Sequence, residues 1–406
     1  MQNKQAPTVN VPAVPAMHFF MAISDPRIDR QKAHPLATIL MVAICAVISG
    51  AESFVDMEDF GKAKKEWLGS FLDLSHGIPS HDTFGRVFSL IDPKQFQESF
   101  ALWMRSCVEL SGGKVIAIDG KTNRRSYGGK TKDGKNETDG NDGSGSGSFT
   151  KALHVVSAFA TANGVSLGQI DTEQKSNEIT AIPELLKILD ISGCLITTDA
   201  MGCQRDIAAD IVTRGGDYLL AVKGNQELLY RDIKAVFADA NTATMQDTNT
   251  SENQGHGRLE KRVCKVLSGA DTIAKLRHKN NWVSLNTVVK VTATRTSKKT
   301  GEMTEATRYY ICSLKQPTAE RLQRSVREHW GVENGLHWTL DMAMREDESR
   351  IRTDHAPANM AVLRHIALNL VRMDKTRKVG IKASLKKAGW DTRYLEKLLG
   401  IALSVI

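Results

Sequence analysis

The spacing of apolar positions changes twice along the chain. From Asp25 to about Ser111 they recur at helical intervals. "LATILMVAICAVI" predicts one apolar helix, and "DMEDFGKAKKEWLGSFL" and "PKQFQESFALWMRSCVEL" predict amphipathic ones. "SHDTFGRVF" reads as a capped helix with Arg86 on one face. From Lys114 the apolar residues gather in short runs instead. "KVIAID" predicts a strand, and "ALHVVSAFAT" and "GVSLGQIDT" predict two more, joined by a tight Ala-Asn-Gly turn. A helix follows over "NEITAIPELLKILD", with Asn177 as its expected cap. Then come the strand "GCLITTD", the helix "QRDIAADIVTRG" and the strand "DYLLAVKGNQ". The expected order is three strands, helix, strand, helix, strand.

From about Leu228 to Gln316 the pattern predicts the helix "ELLYRDIKAVFADA", a polar loop and an antiparallel β insertion. The insertion has three strands, over "GRLEKRVCKVL", "SLNTVVKVTATRT" and "ATRYYICSL". A long helical pattern resumes at Thr318 and more helices run to the C-terminus. The expected organisation is a flexible tail (1–16), a helical N-terminal domain (17–110), an α/β domain with its β insertion at about 228–316 (111–375), and basic C-terminal helices (376–406). The Gly/Ser-rich stretch 128–148 is too polar to bury a core and reads as a mobile loop. The N-terminal helices fit either a packing role or a DNA contact.

Charge and cysteine content narrow the class. A formal net charge of +8 favours a polyanionic partner. The six cysteines form no CxxC pair, which removes zinc-ribbon and finger readings and suits a cytosolic chain with free thiols. The polar, Pro-rich start lacks the pattern of a signal peptide. "PLATILMVAICAVISGA" is short for a membrane span and reads as a buried helix.

The chemistry concentrates at strand ends. "VIAID" and "LITTD" both finish on an aspartate, Asp119 and Asp199, and in a parallel sheet ligands gather at the carboxyl ends of strands. Two adjacent carboxylates repel unless a cation compensates, and Mg²⁺ needs only one or two protein carboxylates. A third acid is expected in "REHWGVENGLHWTLDMAMRED". There His329, Glu333, His337 and Asp341 recur every four residues and line one helix face, beside an apolar stripe of Val332, Leu336 and Leu340. The spacing does not match the HExxH zinc motif, no GxSxG occurs, and "SGSGS" is neither a P-loop nor a dinucleotide fingerprint. Single aspartates at strand ends also commonly cap the next turn, and that plain reading stands beside the catalytic one.

Together these stretches resemble the DDE transposases of insertion sequences, and more closely the H-repeat-associated proteins among them. The likeness is carried by "AICAVISGAESFVDMEDFG", "HGIPSHDTFGRVFSLI", "VIAIDGKTNRRS", "EQKSNEITAIPELL", "LITTDAMGCQRDIA", "GGDYLLAVKGNQ", "HGRLEKR", "RYYICSL", "REHWGVENGLHWTLDMAMRED" and "LRHIALNL", spread over most of residues 20–375. The resemblance implies a ribonuclease-H-like core with a β insertion, and a triad of Asp119, Asp199 and Glu333 holding two Mg²⁺ or Mn²⁺ ions. It also implies cleavage and strand transfer at the ends of an insertion sequence. The expected partner is double-stranded DNA, inverted repeats and target, bound by a homodimer or larger assembly in the cytoplasm. Related families carry an arginine four residues before the glutamate and a lysine seven after it. Here those positions are His329 and Leu340, so Asp341 is held as the reserve third acid.

Candidate DNA contacts are Lys121, Arg124 and Arg125 beyond Asp119, Lys223 at another strand end, and His256 and Arg258 in "GHGRLEKR". His329, Trp330 and His337 on the acidic helix complete the set. Trp330 and Trp338 suit base stacking or core packing equally. Arg372 to Lys397 holds nine Lys/Arg against three Asp/Glu, either a second DNA face or a solvated surface. A metal-dependent nuclease of the same fold and a catalytically silent DNA-binding relative are the competing readings.

Overall fold

The computed structural model describes residues 19–20, 22–28, 32–108, 113–126, 152–172, 177–239, 247–255 and 257–400. The stretch 128–148 and His256 lie outside them, as do the tail 1–16 and residues 401–406.

Nine strands form one sheet: β1 (Val115–Thr122), β2 (His154–Ala160), β3 (Val165–Thr172), β4 (Leu195–Thr198), β5 (Asp217–Val222), β6 (Asp247–Gly255), β7 (Arg258–Ser268), β8 (Thr287–Ser297) and β9 (Met303–Cys312). Their spatial order is β3-β2-β1-β4-β5-β9-β8-β7-β6. β1, β4 and β5 run parallel, and every other pairing is antiparallel. The helices Glu178–Ile188 and Arg205–Thr213 carry the two crossovers, as a parallel connection requires. Asn177, expected to cap the first of them, makes no side-chain capping bond.

One expectation fails at the insertion, which has four strands. The polar stretch before β7, read as a loop, contains β6, paired with β7 along its whole length. β6 is "DTNTSENQG", without one large apolar residue, so it shows no hydrophobic alternation. It is an edge strand, and polar bonds replace apolar contacts on its inner side. Asp247 Oδ2 accepts the backbone N–H of Ala319 (2.7 Å), and Asn249 donates to Gln323.

The sheet packs on both faces. Alternate residues Val115, Leu195 and Leu219, with Cys264, Val266, Val289, Val291 and Tyr310 of the insertion, meet Ala319, Leu322 and Val326 of the helix Ala319–His329. The opposite face joins a larger core running from Phe20 to Leu399. At its centre lie the helices Leu36–Ile48 and Ala356–Met373, buried nearly all round; the first is apolar on every face, and the second also buries Asn359, Arg364, His365 and Asn369. Two asparagines of Ala356–Met373 tie the parts together. Asn359 Nδ2 donates to the carbonyls of Phe88 (2.8 Å) and Ile91 (2.9 Å) in the N-terminal helices, and Asn369 Nδ2 donates to the carbonyl of Ser166 on β3 (2.7 Å). No helix among the described residues is long and apolar enough to cross a membrane.

Candidate active site

The β1–β4 register decides how the two strand-end aspartates meet. Val115 lies beside Leu195 and Ile118 beside Thr198, so the next step brings Asp119 beside Asp199. Neighbouring strands are about 4.8 Å apart, and residues in register project to the same face. That face is the one covered by the helix Ala319–His329. Thr197, two residues before Asp199, has its Oγ1 3.0 Å from His329 Nδ1. Asp199 Oδ1 accepts the backbone N–H groups of Met201 (2.9 Å) and Gly202 (3.3 Å), so it also closes the turn leaving β4.

The predicted stripe of His329, Glu333, His337 and Asp341 follows the ends of β4 and β1 in sequence. The continuous α-helix expected there is interrupted: α-helix to His329, a π-helical segment Val332–His337, then α-helix Trp338–Met344. Such wide turns concentrate at functional sites. Val332, Leu336 and Leu340 are fully buried, as expected. Trp330 and Trp338 remain 36% and 61% exposed, which excludes a core role for either.

The electrostatics mark this cluster. Burial, then the charges of Asp199 and Glu333, push the Asp119 carboxyl up to about 7. Glu333 is held above the usual carboxylate range by loss of solvation, with Asp199 adding to the rise and Arg308 opposing it. His337 Nδ1 lies 3.7 Å from Asp119 Oδ2, and burial drives its imidazole down to about 3. His329 is pushed down to about 4 by burial, against the pull of Asp199. Both imidazoles are therefore neutral at physiological pH.

The opposite face of β1 explains the glycine in "DGK". His154 Nε2 lies 2.8 Å from Glu178 Oε1, and Thr122 Oγ1 is 2.8 Å from His154 Nδ1. Both His154 and Glu178 are buried. A Cβ on Gly120 would come within 2.4 Å of Glu178 Oε1 and of His154 Nε2, so only glycine lets the pair seat directly behind Asp119. Sequence reasoning missed this pair, because His154 and Glu178 lie on separate elements with no motif between them.

The candidate DNA contacts are distributed unevenly. Lys121 does not face outward. Its ammonium lies 2.8 Å from Asp341, 2.9 Å from Glu346 and 3.1 Å from Asp347. Burial alone would depress it, but Glu346 and Asp341 hold it above the ordinary lysine value. The reserve acid Asp341 is thus already bound to a cation. Arg124 pairs with Asp347 (3.4 Å) yet stays 83% exposed, and Arg125 pairs with Glu348. Lys223 is exposed just past β5, and Arg258 is exposed at the far tip of the β6–β7 hairpin. Arg308 stacks over the Trp330 ring, 4.9 Å from its centre.

Whether these acids suit a divalent cation is answered by their crowding. Carboxylates that raise one another's proton affinity are a donor set from which positive charge is missing. Among the described residues no three His, Cys, Asp or Glu side chains close into a ready cage.

The chain has extensive relatives. The family described as "Transposase DDE domain" matches residues 110–370, and the family "DDE_Tnp_1-associated" matches 17–104. "H repeat-associated putative transposase YhhI" of Escherichia coli K12 is 42% identical over 388 residues, 94% of this chain and 97% of that protein. "Putative protein YbfL" of the same strain matches at 42% with the same coverage. "Putative transposase YncI" of Escherichia coli O157:H7 is 40% identical over 386 residues, 94% of each. With that family model matching residues 110–370 and these relatives along nearly its whole length, the chain belongs to the family of the transposase DDE domain.

Proposed function

We propose that this DNA transposase cuts and joins DNA at Asp119, Asp199 and Glu333, on a ribonuclease-H-like core. The strand order β3-β2-β1-β4-β5, with β2 and β3 antiparallel and β4 and β5 parallel to β1, supports that core. The observation that carries the assignment is the register of Asp119 against Asp199, with Glu333 near enough to raise the Asp119 carboxyl further.

Asp119 and Asp199 would hold one divalent ion, and Glu333 would help hold a second. Bound there, such ions would supply an activated oxygen nucleophile and would stabilise the leaving oxygen of an in-line displacement. The chain's own residues supply placement. The β1–β4 ladder fixes the two aspartates, the Thr197–His329 contact sets the acidic helix against β4, and neutral His337 packs beside Asp119 without adding charge. Water attacks a phosphodiester at the element end, and the freed 3′-OH then attacks target DNA. Joining two ends requires two such sites, so the working form is a dimer or larger assembly on DNA.

The test is cleavage and strand transfer on inverted-repeat DNA with Mg²⁺. Asp119→Asn, Asp199→Asn and Glu333→Gln should each lose about a thousandfold or more in rate, the scale of several kcal/mol of charge stabilisation. Asp341→Asn should lose far less. The reverse ranking of Glu333→Gln and Asp341→Asn would move the third acid to Asp341. Cleavage without joining would favour a nuclease.

A further inference from the structure

Beside Glu333 four arginines, Arg262, Arg295, Arg308 and Arg327, gather on one face, and of these only Arg308 bears on the acids described above. β7 and β8 pair Glu260 with Arg295, and β8 and β9 pair Val291 with Arg308. With side chains alternating between faces, Glu260, Arg262, Arg295 and Arg308 all fall on the face toward the helix Ala319–His329. The inner part of that face, Cys264, Val266, Val289 and Tyr310, is apolar and packs on Leu322 and Val326. The outer part opens as a groove of about 390 Å³, to which the helix adds Arg327 and Trp330.

Its lining carries four guanidiniums and one carboxylate. Glu260 already holds two of the arginines, Arg262 and Arg295. With its amide oriented to satisfy its neighbours, Asn253 accepts from Arg327 at 2.9 Å and Arg262 at 3.3 Å. Arg308 lies on Trp330. Bringing like charges together on a rigid sheet is costly without an anion to receive them. The groove ends at Gly331 and Asn334, the residues around Glu333.

We propose that this groove binds the phosphodiester backbone of the DNA strand entering the catalytic cluster, with Arg295, Arg308 and Arg327 as its phosphate contacts. The inference rests on the transposase reading, and it assigns DNA contacts to residues outside the triad. The groove is too small for a duplex and admits one strand's backbone, held by forked donors matched to phosphate oxygens. Backbone contacts position a strand without reading its sequence.

The experiment is equilibrium binding of the full chain to fluorescent duplexes, an inverted-repeat end and an unrelated sequence, over a range of salt. Arg295→Gln, Arg308→Gln and Arg327→Gln should each lower the slope of log affinity against log salt by about 0.9, which is roughly tenfold weaker binding at 0.1 M salt. The loss should be equal on both duplexes. Glu260→Gln should bind both more tightly, a gain that misfolding cannot imitate. Unchanged slopes in the arginine variants, with wild-type chain still binding, would overturn the groove and leave the transposase reading intact. A loss confined to the repeat end would overturn backbone contact in favour of base recognition. Wild-type chain that bound neither duplex would count against the transposase reading itself and remove the basis of the groove.

Discussion

Asp119 and Asp199 stand one residue beyond the last paired step of two parallel strands, so one hydrogen-bond ladder sets the distance between them. The arrangement opposes stability. With its carboxyl near 7, Asp119 keeps a proton in the folded state that the unfolded chain releases near 4. Between those values the native state holds more protons, so this residue's contribution to stability falls as pH rises and is lowest above about pH 7. Asp119→Asn should therefore be more stable than the parent at pH 8 without metal, by up to about 4 kcal/mol, and equal to it near pH 4. Denaturant melts at both pH values measure this. A variant less stable at pH 8 would sink the crowding argument.

Divalent cations should act on the same group. Mg²⁺ at pH 8 should raise the unfolding midpoint of the parent chain and leave Asp119→Asn nearly unmoved. An equal rise in both would place binding elsewhere.

Gly120 gives a steric test. Gly120→Ala forces a methyl group into the His154–Glu178 pair and should cost about 1–3 kcal/mol in thermal or denaturant unfolding. Its DNA-binding salt slope should stay at the parent value, because no phosphate contact is involved. Unaltered stability would show that the pair moves aside freely.

Lys121 separates structure from binding. Lys121→Met leaves Glu346 and Asp341 without their ammonium and should destabilise by about 3 kcal/mol, the usual cost of stripping one partner from a buried pair. The salt slope of DNA binding should not change. A slope lowered by about 0.9 would instead return Lys121 to the phosphate contacts.

The thiols offer a probe of intactness. All six cysteines are buried and free, and burial pushes those of Cys45, Cys203, Cys264 and Cys312 up to about 12. Native protein at pH 8 should resist iodoacetamide, as read by mass spectrometry, and take up six labels only after denaturation. Rapid native labelling would reveal local opening.

Much of this was legible in the sequence because it rests on short-range pattern. The acids at the tips of "VIAID" and "LITTD" stand at adjacent strand ends, and His329, His337 and Asp341 still reach Thr197, Asp119 and Lys121, although the helix that carries them is interrupted. What escaped depends on pairing across distance. β6 hides because its inner face bonds to Gln323 and the Ala319 backbone and buries no apolar residue. Lys121 looked like a phosphate contact because the acids that hold it lie more than two hundred residues away. The arginines of β7, β8 and β9 look like ordinary surface charges until the strand register sets them side by side.

The pairing of β5 with β9, Leu219 against Cys312 and Val222 against Tyr309, has a mechanical consequence. Through these four paired residues the insertion continues the same sheet as β1, β4 and β5, so it does not hang as a separate lid. If the groove holds a strand as proposed, that strand is gauged against Asp119 through one continuous sheet. On that proposal the phosphodiester to be cut is set by length along the sheet, and inserting or deleting a residue in β9 should move the cut.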